Sequence, residues 1–313
     1  MKTKFFLAAS VCAAMCMSCK DDFETVTSDS ASELRISATM ASDSRAGFTP
    51  KNDWQTGDAM GLFVYKATGW GEIYDKSPKV NNKSTKQASG AWQQEIPTYL
   101  TSTKAYVYAY YPYSTGVTDG TRIPVSIAPS TGTASDYLWG KSSNQVSVIE
   151  TDAKIPMNHA LSQFTIRLKV SPEYRNDGNL TSAKLKSSQA KFATTGTMNI
   201  NDNGRITYTP TSTELSWTPN TTVPAQGSPS VDFNAAIFPM NVAKNEVTLE
   251  VVIDGATYKY SIPQINWKAG KRYAYAITMQ SNDAVIGGES GLGITIEPWE
   301  DNPEQGVDLI PVK

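Results

Sequence analysis

Leu34, Ile36, Ala38 and Met40 alternate with Glu33, Arg35, Ser37 and Thr39. A period of two puts one set of side chains on each face of a β-strand, so residues 33–40 read as the first strand. The same signal returns in 161–170, where Leu161, Phe164, Ile166, Leu168 and Val170 form the apolar set. Segments 58–66, 104–111, 122–128, 145–150, 231–238, 247–253, 256–262, 271–279, 292–297 and 307–312 read as further strands, and 183–192 as strand or loop. Residues 67–90 form a Gly-, Lys- and Asn-rich excursion, and Ile155-Pro156-Met157-Asn158-His159 separates two halves. Thr197 to Tyr208 is the best local hairpin, with Asn203-Gly204 as its turn. About fifteen strands spaced near ten residues, with no amphipathic helix, predict an all-β chain of β-sandwiches. The expected division is a leader over 1–18, a flexible tether over 19–32, one sandwich over 33–152 and a second over 153–313.

Composition narrows the chemistry. All three cysteines, Cys12, Cys16 and Cys19, lie in the first nineteen residues, so the globular part has no thiol for a disulfide, a cysteine-ligated metal or a nucleophile. The formal charge is −2, and losing Lys2 and Lys4 with a leader makes it more negative. With no basic stripe, nucleic-acid binding is not expected. The single histidine, His159, has no nucleophile motif beside it, and reads as a ring hydrogen-bonded at the junction of two halves. Spacing singles out no pair of carboxylates for glycoside chemistry. Asn201-Asp202-Asn203-Gly204 lacks the alternating ligands of a calcium loop and reads as a turn. No cofactor and no enzymatic activity are expected. Tyr106, Tyr108, Tyr110, Tyr111 and Tyr113, with Trp54, Trp70, Trp92 and Trp139, suit either ring packing in a sandwich or a stacking platform for glycans.

The first twenty-two residues carry an address. Lys2 and Lys4 precede an apolar run from Phe5 to Met17, too short for a membrane span and laid out as a secretory signal. Ser18-Cys19 resembles a bacterial lipobox, which implies lipidation at Cys19. Lys20-Asp21-Asp22 resembles the export signal that sends Bacteroidetes lipoproteins to the cell surface. Asp29-Ser30-Ala31 resembles an O-glycosylation triplet and reads equally as plain linker.

Six separated segments add a family. They are Trp54–Phe63 (WQTGDAMGLF), Tyr108–Tyr113 (YAYYPY), Asp136–Gly140 (DYLWG), Met157–Leu168 (MNHALSQFTIRL), Trp267–Tyr275 (WKAGKRYAY) and Ile294–Trp299 (ITIEPW). In this order they resemble the fimbrillin family, pilin-like lipoproteins of Bacteroidetes. The resemblance implies two transthyretin-like Greek-key β-sandwich domains in tandem, and assembly into a fimbrium on the outer membrane. It implies protease cleavage after an arginine that follows the first strand. Here that is Arg45, in a Ser/Asp/Gly loop, leaving Ala46 as the new N-terminus; Arg35 lies inside the strand. Cleavage would displace the strand carrying Leu34, Ile36, Ala38 and Met40, and a strand of another pilus subunit would fill the groove. Donor candidates are Leu292–Ile296 and the segment with Val307, Leu309, Ile310 and Val312; each also reads as a final strand of its own domain. The expected partners are pilus subunits of the same or related type and the outer membrane through the lipid. The competing reading is a surface lipoprotein that does not polymerise and binds host or bacterial surface glycans or proteins.

Overall fold

A computed structural model describes residues 32–40, 51, 53–75, 81–127, 135–172, 174, 177–223 and 229–279, with the backbone of two further strands, Ile294–Pro298 and Ile310–Pro311. The described residues are all-β; their only helical piece is a 3-10 turn at Ile200–Asp202.

The N-terminal half is a seven-stranded sheet. Its order is Arg35–Met40, Asp152–His159, Leu138–Lys141, Ala105–Tyr111, Ala59–Lys66, Asn82–Lys86 and Trp92–Gln94. One apolar cluster, including Leu34, Ile36, Met60, Leu62, Val107, Ala109, Leu138, Ile155 and Met157, fills its concave side. The sheet curls until its two edge strands meet. The side-chain amide of Gln94, on the last strand, donates to the carbonyl of Leu34, beside the first, at 2.7 Å. A short pairing of Ser32–Glu33 with Tyr99–Leu100 completes the closure.

The C-terminal half is a sandwich. One sheet runs Val231–Ile237, Ser162–Val170, Lys271–Met279 and Ile294–Pro298. The other runs Glu214–Trp217, Gly178–Ser187, Val247–Ile253, Ala256–Ser261 and Ile310–Pro311, with Thr221–Val223 also paired to Gly178–Ser187. Between them lies a core containing Phe164, Ile166, Leu168, Leu185, Leu249, Val251, Trp267 and Tyr275. The two halves interlock. Ile123–Ser126 pairs with Thr195–Asn199 across them, and a third cluster gathers Phe63, Tyr110, Ile123, Leu161, Met198 and Phe238.

Most of the expected strands form. The hairpin forms as Thr195–Asn199 and Arg205–Thr207, with Asn203 at φ 50° and Gly204 at φ 67°. That conformation favours Asn and Gly, and a side chain at Gly204 would collide with the Trp139 indole. Asn199 Oδ1 accepts from the backbone N–H groups of Asn201 and Asp202, which makes the segment a turn.

Other expectations need correction. Residues 155–159 do not separate the halves; Asp152–His159 is a strand whose residues alternate inward and outward. It tolerates Pro156 because the N–H groups turned toward Arg35–Met40 belong to alternate residues, Ala153, Ile155 and Met157. A division at 152/153 would sever this strand from the sheet it completes; the chain passes to the second half at Ala160 and Leu161. Residues 145–150 make only isolated bridges, Ala105 to Val146 and Ser147 to Glu150, because the segment turns back on itself through a Ser147 N–H to Glu150 carbonyl bond of 2.9 Å. The 67–90 excursion contains the strand Asn82–Lys86. Its inward residues, Asn82 and Ser84, are polar and give no hydrophobic alternation. The open segment 183–192 resolves as the later part of Gly178–Ser187, followed by loop.

Candidate functional site

The site is the seam at which the N-terminal strand, residues 32–40, closes its sheet. On one side the strand has a regular parallel ladder, from Asp152 opposite Arg35 to Met157 opposite Met40. Outside that ladder Arg35 Nη2 reaches Thr151 Oγ1 at 3.1 Å, and Ser37 Oγ reaches Asp152 Oδ2 at 3.0 Å. Leu34 and Ile36 are 2% and 7% exposed, while Ala38 and Met40 are partly buried against the same core. Full burial of a large aliphatic side chain is worth about 1.5–3 kcal/mol, so two such anchors hold the strand firmly and still leave it far weaker than a central strand.

The other side of the strand has almost no ladder. Successive main-chain groups of a strand point to opposite sides, so those of Leu34 and Ala38 face away from Asp152–His159. Leu34 N–H donates to the Thr98 carbonyl at 2.8 Å. The Leu34 carbonyl accepts from Gln94 Nε2 at 2.7 Å, and the Ala38 carbonyl accepts from Trp54 Nε1 at 3.1 Å. Two side chains thus stand where a neighbouring strand would be.

Both are held by the body of the sheet. Asn82 Nδ2 donates to Gln94 Oε1 at 3.2 Å and to the Ile96 carbonyl at 2.7 Å, which leaves Gln94 Nε2 facing the strand. Trp54 meets Trp92 edge-on at 4.8 Å and Tyr111 at 5.5 Å. The turn that carries Trp54 is tied by Asp58. Its Oδ2 accepts from the Gln55 N–H at 2.6 Å and pairs with Lys51 Nζ at 2.6 Å, and Gly57 takes φ 92°. The W-x-x-G-D spacing therefore has a local physical purpose: the glycine permits the turn, the aspartate ties it, and the indole is aimed at the strand. Burial first, and then the Asp58 carboxylate, push the Tyr111 phenol up to about 12.

Leu34, Ile36, Ala38 and Met40 are together in the seam, as their alternation predicts. Cys19, Lys20, Asp21, Asp22, Arg45 and Ala46 lie outside the described residues, as do Val307, Leu309 and Val312. Ile310 falls in Ile310–Pro311, which pairs with the edge of Ala256–Ser261. Ile294–Pro298 pairs with Lys271–Met279 within the C-terminal sheet. His159 Nδ1 lies 2.7 Å from Asp136 Oδ2 with both side chains buried, and the same oxygen accepts the Lys51 N–H at 2.8 Å. The pair ties the end of Asp152–His159 to Asp136 and, through it, to Lys51. Tyr108 and Tyr110 are buried, and Trp70 packs edge-on against Tyr108 at 4.7 Å, so these rings serve packing. Sequence reasoning missed Trp54 and Gln94 as strand contacts. The motif around Trp54 was the available signal; Gln94 had none.

The fold is similar to that of a Bacteroides ovatus protein assigned to cell adhesion, with TM-score 0.63 and 18% identity over 87% of this chain and 99% of that one. A Bacteroides uniformis protein of the same assignment gives 0.59 at 17% identity, covering 87% and 99%. A fimbrial protein from Bacteroides vulgatus gives 0.55 at 14% identity, covering 86% and 100%. At such identities the likeness is one of fold. No curated protein matches the sequence. The model of the fimbrillin-like family matches residues 44–299, from just beyond the N-terminal strand to the end of Ile294–Pro298, and the chain belongs to that family.

Proposed function

We propose that the chain is a surface-exposed pilus subunit, lipidated at Cys19, cleaved after Arg45 and assembled by donor-strand exchange in support of cell adhesion. The observation that carries this reading is the seam. The N-terminal strand is an edge strand, paired in parallel with Asp152–His159 and, at Ser32–Glu33, briefly with Tyr99–Leu100; residues 41–50 connect it to the strands that follow. A cut in that connection turns an intramolecular strand into a separable one. Its departure exposes the apolar groove lined by Ile155, Met157, Met60 and Leu62, together with the unpaired edge of Asp152–His159. Such an edge is a template for another strand.

The donor would come from the C-terminal segment holding Val307, Leu309, Ile310 and Val312. Ile310–Pro311 lies at a sheet edge, antiparallel to Ala256–Ser261. Membership of the fimbrillin-like family, and the fimbrial and adhesion assignments of the similar structures, support placement at the cell surface with other pilus subunits as partners. The test is limited trypsin treatment of the full chain. A cut after Arg45 followed by higher oligomers supports the reading. The Arg45→Ala chain should stay uncut and monomeric, and oligomers formed equally well by that variant would refute it.

A further inference from the structure

We propose that Trp54 and Gln94 form a main-chain clamp that outlasts the N-terminal strand and grips the backbone of whichever strand replaces it. The inference rests on the strand-exchange reading above and adds to it the residues that hold the incoming strand. Gln94 Nε2 and Trp54 Nε1 bond the carbonyls of Leu34 and Ala38, four residues apart on one side of the strand. Carbonyls are common to every residue, so the clamp reads extension and spacing, while the apolar pockets read side chains.

Neither clamp residue depends on the departing strand for its position. Gln94 is oriented by Asn82, and Trp54 by Trp92, Tyr111 and the turn tied through Asp58. Gln94 is 6% exposed with the strand in place, and the strand's departure takes away the acceptor of its Nε2, the Leu34 carbonyl. The wall has further capacity: Ser84 Oγ, Trp92 Nε1 and Thr98 Oγ1 are buried without a hydrogen-bond partner while the strand is in place.

The geometry also sets what the occupant must be. It is an extended strand from a second copy or related subunit, with apolar residues two apart. It offers an N–H and a carbonyl at the place of Leu34, and a carbonyl at the place of Ala38. A proline is acceptable at the latter place, because it keeps its carbonyl. In sequence, Val307, Leu309 and Pro311 match the places of Leu34, Ile36 and Ala38.

The test uses the full chain cut by trypsin after Arg45 and two labelled peptides. One has the sequence of residues 32–40. The other keeps Leu34, Ile36, Ala38 and Met40 and replaces the outward residues Arg35, Ser37 and Thr39. Trp54→Phe keeps the ring and removes the donor; Gln94→Leu and Gln94→Glu remove or invert the second donor at similar volume. Binding is read by fluorescence polarisation on variants whose melting matches the parent. The clamp predicts about a 5–10-fold loss of affinity for each single variant, the same for both peptides, with Gln94→Glu the most severe. Unchanged affinity in Trp54→Phe and both Gln94 variants overturns the clamp and leaves strand exchange standing. A loss confined to one peptide also overturns it, since a main-chain clamp is blind to the outward residues. Failure of the parent protein to bind either peptide overturns strand exchange, and the clamp with it.

Discussion

The two halves each begin with a strand that lies parallel to a later strand, and the two openings are built very differently. Ser162–Val170 runs parallel to Lys271–Met279 and antiparallel to Val231–Ile237 on its other side. It is walled by strands on both edges, and Phe164, Ile166, Leu168 and Val170 are all buried. Arg35–Met40 has a parallel ladder to Asp152–His159 on one edge, and mainly side chains on the other. Its outward residues Arg35, Ser37 and Thr39 are exposed. One strand is locked into its sheet and the other closes a seam. Similar parallel pairing thus sits in unlike surroundings: one strand has a second strand beside it, and the other has mainly side chains.

Substitution should show this difference at its largest. Phe164→Ala is expected to cost about 3–5 kcal/mol in denaturant unfolding of the whole C-terminal half. Ile36→Ala should cost nearer 2 kcal/mol, the low end for such a change, and mainly loosen residues 32–40. Equal global losses from the two would erase the contrast. Amide exchange resolves it without mutation. The Arg35, Ser37 and Thr39 amides should exchange through local opening well before those of Phe164 to Leu168, which should await global unfolding. Similar protection in both strands would count against a separable seam.

Much of this was legible in the sequence. The alternation of Leu34, Ile36, Ala38 and Met40 gave the strand and its buried face, and Asn203-Gly204 gave the hairpin turn. Two kinds of feature were harder to read. Asp152–His159 alternates cleanly, but Pro156 and the polar Asn158-His159 end disguised it; one of its two pairing partners, Arg35–Met40, lies more than a hundred residues away. Asn82, Ser84 and Gln94 face inward with polar side chains, against the rule that inward means apolar. Asn82 and Gln94 satisfy backbone groups there, those of Ile96 and Leu34. Side-chain to main-chain bonds across a closed sheet depend on tertiary placement, and no local pattern encodes them.

The smallest effect concerns pH and separates the halves again. On Val247–Ile253, Glu250 is held below the usual carboxylate range, first by the hydrogen bond from Lys186 and then by the lysine charges around it. A depressed folded value means that the stabilisation is complete above the unfolded value of about 4.3, and is lost as pH falls through the folded one. The pair is partly exposed, so the loss should be under about 1 kcal/mol. It should be confined to the sheet of Gly178–Ser187 and Val247–Ile253. A Glu250→Gln chain should show a correspondingly shallower fall in melting temperature below pH 4, and an unchanged slope would remove this pair from the account.

The most direct test of the seam is the N-terminus of the subunit in polymers taken from the cell surface, read by mass spectrometry. An exchangeable strand predicts chains that begin at Ala46, with residues 19–45 gone and a second subunit's segment in the groove. Polymers whose subunits still begin at a lipidated Cys19, with residues 32–40 in place, would contradict it.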